Sequence, residues 1–217
     1  MIGWIPSPLP AIYTGDLLKP YRDWLTDKHY EYKASVGGSY VPDSVEGYYL
    51  TPWDLGYGPF VKFEHDFVGR EALEALAAGP HRRKVTLALD DVSVTDTLFG
   101  MFSKGELRPK YMEFPSAVYA MHPFDRVEKD GQLVGLSTWI GYSANEGKIL
   151  TLAMVDESVA VPGTEVEFVW GEPDGGTSKP TVEPHRQVTI KAVVAAVPYS
   201  EVARTSYADS WRTQAAA

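Results

Sequence analysis

The stretch KDGQLVGLSTWIGYSANEGKILTLAMVD, residues 129–156, decides the fold. Asp130-Gly131 sits between apolar runs, a dipeptide suited to the positive backbone angles of a tight hairpin turn. Leu133–Ile140 and Ile149–Val155 then read as two strands. Working outward, Lys84–Leu89, Val127–Glu128, Glu165–Trp170 and Val188–Val197 read as further short strands. Pro162-Gly163-Thr164 is a tight turn, and the alternation Glu165-Val166-Glu167-Phe168-Val169-Trp170 has the period of two that turns one face inward. Strands at this spacing imply a small antiparallel barrel or sandwich. Residues 171–187, GEPDGGTSKPTVEPHRQ, read as a polar surface loop or a long hairpin tip.

Ahead of residue 80 the texture differs. Residues 1–15 are a proline-punctuated, extended lead-in, because each proline pushes its predecessor out of the helical region. Asp16 is placed to cap a helix through Leu17, Leu18, Tyr21, Trp24 and Leu25. Ala34 to Tyr49, with Gly37, Gly38, Pro42 and Gly47, suggests loops and short strands, and Phe60–Phe63 a strand. Asp66 or Gly69 leads into a helix over Arg70–Ala77 that Gly79-Pro80 stops.

The bulk properties limit the partners. With 217 residues, 44% of them hydrophobic and 23% charged, the chain is long and apolar enough for one large or two small packed cores. A formal net charge of −9 argues against a nucleic-acid footprint, and His81-Arg82-Arg83-Lys84 is too short a basic run to reverse that. The chain has no cysteine, which excludes disulfides, thiolate chemistry and cysteine-ligated zinc. MIGWIPSPLPAIYTG lacks a basic start and is broken by prolines, so it does not read as a signal peptide, and no apolar run reaches membrane-spanning length. The expectation is a cytoplasmic protein without membrane or nucleic-acid partners.

Motifs for known chemistry are mostly lacking. The five histidines, His29, His65, His81, His122 and His185, have no helix-spaced metal partners, so no metal site is expected. Gly56-Tyr57-Gly58 gives only part of a dinucleotide fingerprint. His65-Asp66 reads more simply as a loop histidine and a helix-capping aspartate than as a base and its orienter. What stands out is the density of rings in the first third, including Trp4, Tyr13, Tyr21, Trp24, Tyr40, Trp53, Tyr57 and Phe60. Such rings are either core or the wall of a site for a planar heterocycle, with Arg22 the natural cation for a carboxylate.

Several motifs resemble one family. TPWDLGYGPFVKFEHDFVGREAL (51–73) is similar to the junction of the glycine cleavage T-protein superfamily, folate-dependent one-carbon transferases. That junction has a Thr-Pro lead-in, a Gly-aromatic strand and an Asp-Phe-x-Gly-Arg-Glu-Ala-Leu helix start in the same order. Residues 129–156, PGTEVEFVW (162–170) and VAAVPYS (194–200) resemble successive segments of the same family's C-terminal barrel. Within the superfamily, GWIPSPLPAIYTG (3–15), YYLTPWDLGYGPFVKF (48–63) and GTSKPTVEPHRQ (176–187) resemble the tetrahydrofolate-dependent aromatic O-demethylases of the vanillate and syringate type.

The resemblance implies an α+β chain: a partial mixed α/β folate-binding domain followed by a small antiparallel β-barrel of the T-protein C-terminal type. It places the C-terminal portion of the folate-binding, catalytic domain at 1–79, the barrel at 80–200 and a tail at 201–217. It implies transfer of a methyl group from a methoxyaromatic to tetrahydrofolate, with Arg22, Tyr57, Trp4 and Tyr207 as cofactor-binding positions and no assigned catalytic residue. Arg22 falls at the family's Arg-Asp, although this chain has extra residues before Ser39-Tyr40. Tyr57 stands at or beside a Gly-Trp that lines the site, Tyr207 matches a C-terminal tyrosine, and Trp4 follows the demethylase likeness. Trp53 and Phe60 are assigned to the core. Full-length relatives carry an N-terminal half with the catalytic acid, so an N-terminal-half chain or a homo-oligomer is the expected partner. An aminomethyltransferase of glycine-cleavage or sarcosine type, and a noncatalytic interaction module, are the alternatives.

Overall fold

Period-two alternation builds the centre of the molecule. The computed structural model describes residues 16–24, 36–43, 45–105, 107–116, 122–176 and 182–206. Its strands are β1 (Val36–Gly37), β2 (Arg82–Leu89), β3 (His122–Pro123), β4 (Asp125–Lys129), β5 (Gln132–Ser143), β6 (Lys148–Asp156), β7 (Glu165–Trp170) and β8 (Val188–Ala195). β2, β6, β5, β4, β7 and β8 close in that order into a barrel, and every neighbouring pair is antiparallel. Val85, Leu87 and Leu89 of β2, Val166, Phe168 and Trp170 of β7, and Ile190, Ala192 and Val194 of β8 fill the interior. Asp130 (φ 51°) and Gly131 (φ 74°) make the two-residue turn between β4 and β5, as their sequence predicts. Each expected barrel strand is present.

β6 is buried along nearly its whole length, which explains why its sequence is a continuous apolar run rather than an alternation. Its second face is covered. Met154 packs with Phe124 and Leu136 on the outside of the barrel, beneath Val36, Tyr40, Tyr48 and Leu50 of the preceding segment.

The helices are α1 (Lys19–Trp24, preceded by a 3-10 turn over Asp16–Leu18), α2 (Arg70–Ala77), α3 (Asp91–Gly100) and α4 (Glu201–Thr205). α2 occupies the expected residues and starts at Gly69, whose φ of 89° suits glycine, while Asp66 pairs with Arg70 at 3.0 Å. α3 has no counterpart in the sequence reading, because Val92, Val94, Thr95 and Thr97 carry the β-branched character of a strand. Its cap decides otherwise: Asp90 accepts from Ser93 N at 2.8 Å and from Ser93 Oγ at 2.9 Å, which also holds its carboxyl below the usual carboxylate range. Asp90→Ala is expected to lower Tm by a few degrees and to loosen α3, read by hydrogen exchange at Val94 and Thr97. Residues 201–205, at the start of the expected tail, form α4. No helix among the described residues is long and apolar enough to cross a membrane.

The strand expected over Phe60–Phe63 is not formed. Pro59 has no N–H to give a ladder, and Phe60 N and Val61 N turn back to Tyr57 O (2.8 Å) and Gly58 O (3.1 Å) in a 3-10 turn over Gly58–Phe60. Nor does Phe60 belong to the core, since it is 76% exposed.

Candidate functional site

The junction between the leading segment and the barrel is a tightly wound turn. Thr51 N and Oγ1 both donate to Asp54 Oδ2, at 2.8 and 2.9 Å, and the buried Asp54 thereby fixes the turn. Gly56 N then reaches Trp53 O at 2.9 Å and Tyr57 N reaches Pro52 O at 2.7 Å. Gly56 takes φ 79°, and a Cβ at Gly58 would stand 2.6 Å from Trp53 Cδ1, so the two glycines let this backbone coil around the indole. Trp53 stacks on His81, with ring centroids 4.5 Å apart and planes 5° from parallel. Tyr57 projects between the glycines, 40% exposed, with Phe60 as its ring neighbour.

Below this turn lies a cavity of about 580 Å³ lined by Trp53, Gly56, Gly58, His81, Arg82 and Lys84, among others. The basic run His81–Lys84 is thus the floor of a cleft. Arg83 is tied to Glu157, and Arg82 Nε stands 4.0 Å from Asp156. Lys84 has no carboxylate within ion-pair distance among the described residues; its chain lies beneath Gly56, where a Cβ would come within 3.1 Å of Lys84 Cε. Burial pulls its ammonium below the ordinary lysine value.

A second group of polar side chains is buried where the leading segment meets the barrel. Gly37 O accepts from Phe124 N (2.8 Å) and Tyr40 N donates to Phe124 O (3.0 Å). Between them, Gly38 N donates to Glu172 Oε1 at 3.0 Å, Ser39 N to Asp125 Oδ1 at 3.0 Å and Ser39 Oγ to Val169 O at 2.7 Å. Glu172 Oε1 also takes Lys110 Nζ at 2.8 Å, and that ammonium lies 4.9 Å from the centre of the Trp170 ring. His185, fully buried, accepts from Glu172 N through Nε2 (2.9 Å) and donates through Nδ1 to Glu183 O (2.8 Å). Because Nε2 is committed to that N–H, its 3.1 Å approach to Glu172 Oε2 is not a hydrogen bond, and Oε2 has no donor.

Burial alone would raise the Glu172 carboxyl, yet the Lys110 charge and its hydrogen bond, with the Gly38 N–H, outweigh it and hold the group below the usual carboxylate range. For Lys110 the balance goes the other way: burial pulls the ammonium down against the attraction of Asp125 and Glu172. The contacts favour an ionised pair, since Oε1 receives two donors. Its structural consequence is a latch that fastens residues 36–40 to β7.

The sequence candidates are distributed unevenly. Tyr57 does not line the junction cleft itself; it sits in the turn above it, between the lining residues Gly56 and Gly58. Arg22 lies on α1, its side chain outside the described residues, and Trp4 and Tyr207 also lie outside them. Of the four, Tyr57 alone has its side chain among the described residues. Sequence reasoning missed Glu172 and His185, because 171–187 looked like a polar loop, and missed Lys110, which no local pattern marks. One signal was present: Gly171 directly follows the buried Trp170, takes φ 103°, and would place a Cβ 2.9 Å from His185 Cδ2.

Fold and site together define an antiparallel-barrel protein with a cleft of rings and cations at the start of its first barrel strand. The chain is 62% identical over 214 residues, 99% of its length, to a syringate O-demethylase of Sphingobium sp. (strain NBRC 103272 / SYK-6), of which it covers 46%. It is 29% identical over 93% of its length to a sesamin methylene transferase of Sinomonas sp. (strain No.22), covering 44% of that protein. It is 34% identical over 53% of its length to an aminomethyltransferase of Streptomyces avermitilis, covering 26% of it. The chain spans about half the length of the first two of these curated relatives. No family model matches it. These relatives fit the T-protein superfamily that the chain's motifs resemble.

Proposed function

We propose that the chain is the C-terminal half of a tetrahydrofolate-dependent methyltransferase that demethylates a methoxyaromatic such as syringate or vanillate, and that it needs an N-terminal half for activity. The observation that carries this reading is the 62% identity to a syringate O-demethylase over 99% of the chain, within a relative about twice as long. A cytoplasmic setting belongs to the same reading.

The junction suits such a ligand chemically. It presents an exposed phenol ring at Tyr57, backbone opened by glycine on both sides, and cations for a carboxylate at Arg82 and Lys84. Tetrahydrofolate, when bound, supplies the N5 nucleophile that accepts the methyl group. The chain's own part is positioning: Tyr57, with Arg22, Trp4 and Tyr207 of the resemblance, holds and orients that ligand, and orientation is a large share of the barrier in a displacement at a methyl carbon. The ether oxygen must leave with a proton, for which the missing half supplies the donor. The latch serves the same end by fixing the leading segment on the barrel.

The test is turnover by the chain alone, by a separately produced N-terminal half, and by their mixture, followed as phenol formation from syringate and vanillate with tetrahydrofolate. Activity is expected only in the mixture. Tyr57→Ala is expected to lower kcat/KM at least tenfold with little change in Tm, because its ring is largely outside the core. Full activity of the chain alone would sink the half-site reading. If no mixture demethylates either substrate but methylamine donors react, the aminomethyltransferase alternative takes its place.

A further inference from the structure

Helix α3 carries apolar side chains on two opposite faces, and the barrel uses only one of them. Val94, Thr97 and Leu98 turn toward the barrel, with Met101 packed there just beyond the helix. At about 100° per residue, Val92, Asp96 and Phe99 fall on the far side. The chain leaves α3 through tight turns, in which Met101 N reaches Leu98 O at 3.1 Å and Phe102 N reaches Phe99 O at 3.0 Å. Bonds three residues apart eclipse the side chains they span, so Phe102 continues the row of Phe99. Val92, Phe99 and Phe102 are 68%, 76% and 82% exposed. The row runs roughly 16 Å, at 1.5 Å per helical residue and 2.0 Å per residue in the closing turn. Large apolar side chains grouped in water in this way mark a contact surface. The row is also polarised in charge. Asp91 and Asp96 stand at its start and Lys104 follows its end, all exposed. Asp91 is tied to Lys148 at 2.7 Å, whereas Asp96 and Lys104 have no ion-pair partner among the described residues.

We propose that this face of α3 is a two-fold interface with a second copy of the same chain. A row that is acidic at one end and basic at the other complements itself only when the second copy runs antiparallel. With Phe99 on the two-fold axis, Asp96 of each copy comes within reach of Lys104 of the other. The rings of Phe99 and Phe102 then exclude water between those cross-pairs. The complementarity matters in a chain of net charge −9, whose copies otherwise repel one another. Three apolar side chains fall short of the ~800 Å² per partner of a standard interface, so the association is weak and reversible. It rests on the fold alone and needs neither folate nor methyl transfer.

The test is sedimentation equilibrium of the full 217-residue chain over a concentration series, at low and at high salt. A monomer–dimer equilibrium that weakens as salt rises is expected. Phe99→Asp should weaken dimerisation at least tenfold while Tm stays near that of the parent, because the ring lies outside the core. Asp96→Lys and Lys104→Asp should each weaken it several-fold. The doubly exchanged variant should return to near the parent value, because its cross-pairs form again with the signs reversed. A chain that stays monomeric at every concentration would overturn the interface, as would dimerisation unchanged in Phe99→Asp. Two weakened single exchanges with no recovery in the double variant would overturn the antiparallel pairing. A one-to-one complex with a separately produced N-terminal half, prevented by Phe99→Asp, would give the face to that half and overturn the second copy as its occupant.

Discussion

Lys110→Met is expected to destabilise the protein by about 3–5 kcal/mol, because it leaves the Glu172 carboxylate buried without its cation. Lys110 and Glu172 side chains are 2% and 8% exposed and 2.8 Å apart, so solvent screens the pair little. The lost contacts include the hydrogen bond to Oε1 and the ammonium over Trp170. Chemical denaturation of the parent and variant measures the effect. The double variant Lys110→Met/Glu172→Leu is expected to recover much of the loss, since replacing both partners removes the orphaned charge. A loss below about 1 kcal/mol in the single variant would show that the pair does not hold the latch.

The pair also fixes a pH dependence. The Glu172 carboxyl is held below its ordinary value in the folded chain, so its contribution is fully present above the unfolded value of about 4.3 and is lost as pH falls through the folded one. Lys110 is shifted downward as well. Between its folded and unfolded values the unfolded chain binds the extra proton, so this group makes stability rise with pH on the alkaline side rather than fall. Parent stability should therefore decline below about pH 4.3, and Glu172→Gln should flatten part of that acid limb.

Gly38→Ala is the second large effect, expected to cost roughly 2–5 kcal/mol from a left-handed backbone angle plus overpacking. Gly38 has φ 109°, and an added Cβ would stand 2.2 Å from Phe124 O, 2.7 Å from Phe124 C and 2.9 Å from Asp125 Oδ1. Two of these are backbone atoms of the barrel wall and cannot swing aside. The segment would have to lift, parting Gly38 N from Glu172 and Ser39 from Asp125 and Val169. Thermal denaturation reads the loss, and hydrogen exchange at Tyr40, whose amide is bonded to Phe124 O at 3.0 Å, reports whether the latch has opened. By contrast, Gly131 has open space around it, so its alanine variant pays only the backbone angle.

The barrel was legible because its signals are local. Alternation in Val188–Ala195, the Asp130-Gly131 turn and the apolar Ile149–Val155 each report a strand or a bend within a few residues, and the strands followed. α3 was not legible, because its β-branched residues argue for a strand and only the Asp90–Ser93 cap and the burial of Val94 and Thr97 settle it as a helix. Of the candidate site, the sequence singled out Tyr57 with its two glycines and noted the His81–Lys84 run only to dismiss it.

What the sequence determined by itself is the strand set, the α2 helix and the family likeness, all carried by periodicity, turn chemistry and motif order over short spans. What only the tertiary structure decided are the partnerships between distant positions: Gly56 over Lys84, Trp53 on His81, and Gly38 and Lys110 on Glu172. Glu172 and His185 are polar residues in a glycine- and proline-rich stretch, and such a stretch ordinarily lies in water. Closure of the barrel brings Lys110 and the Gly38 N–H to one carboxylate oxygen, and that convergence makes burial of the charge tolerable. No local pattern encodes it, because the groups that satisfy Glu172 lie 62 and 134 residues away.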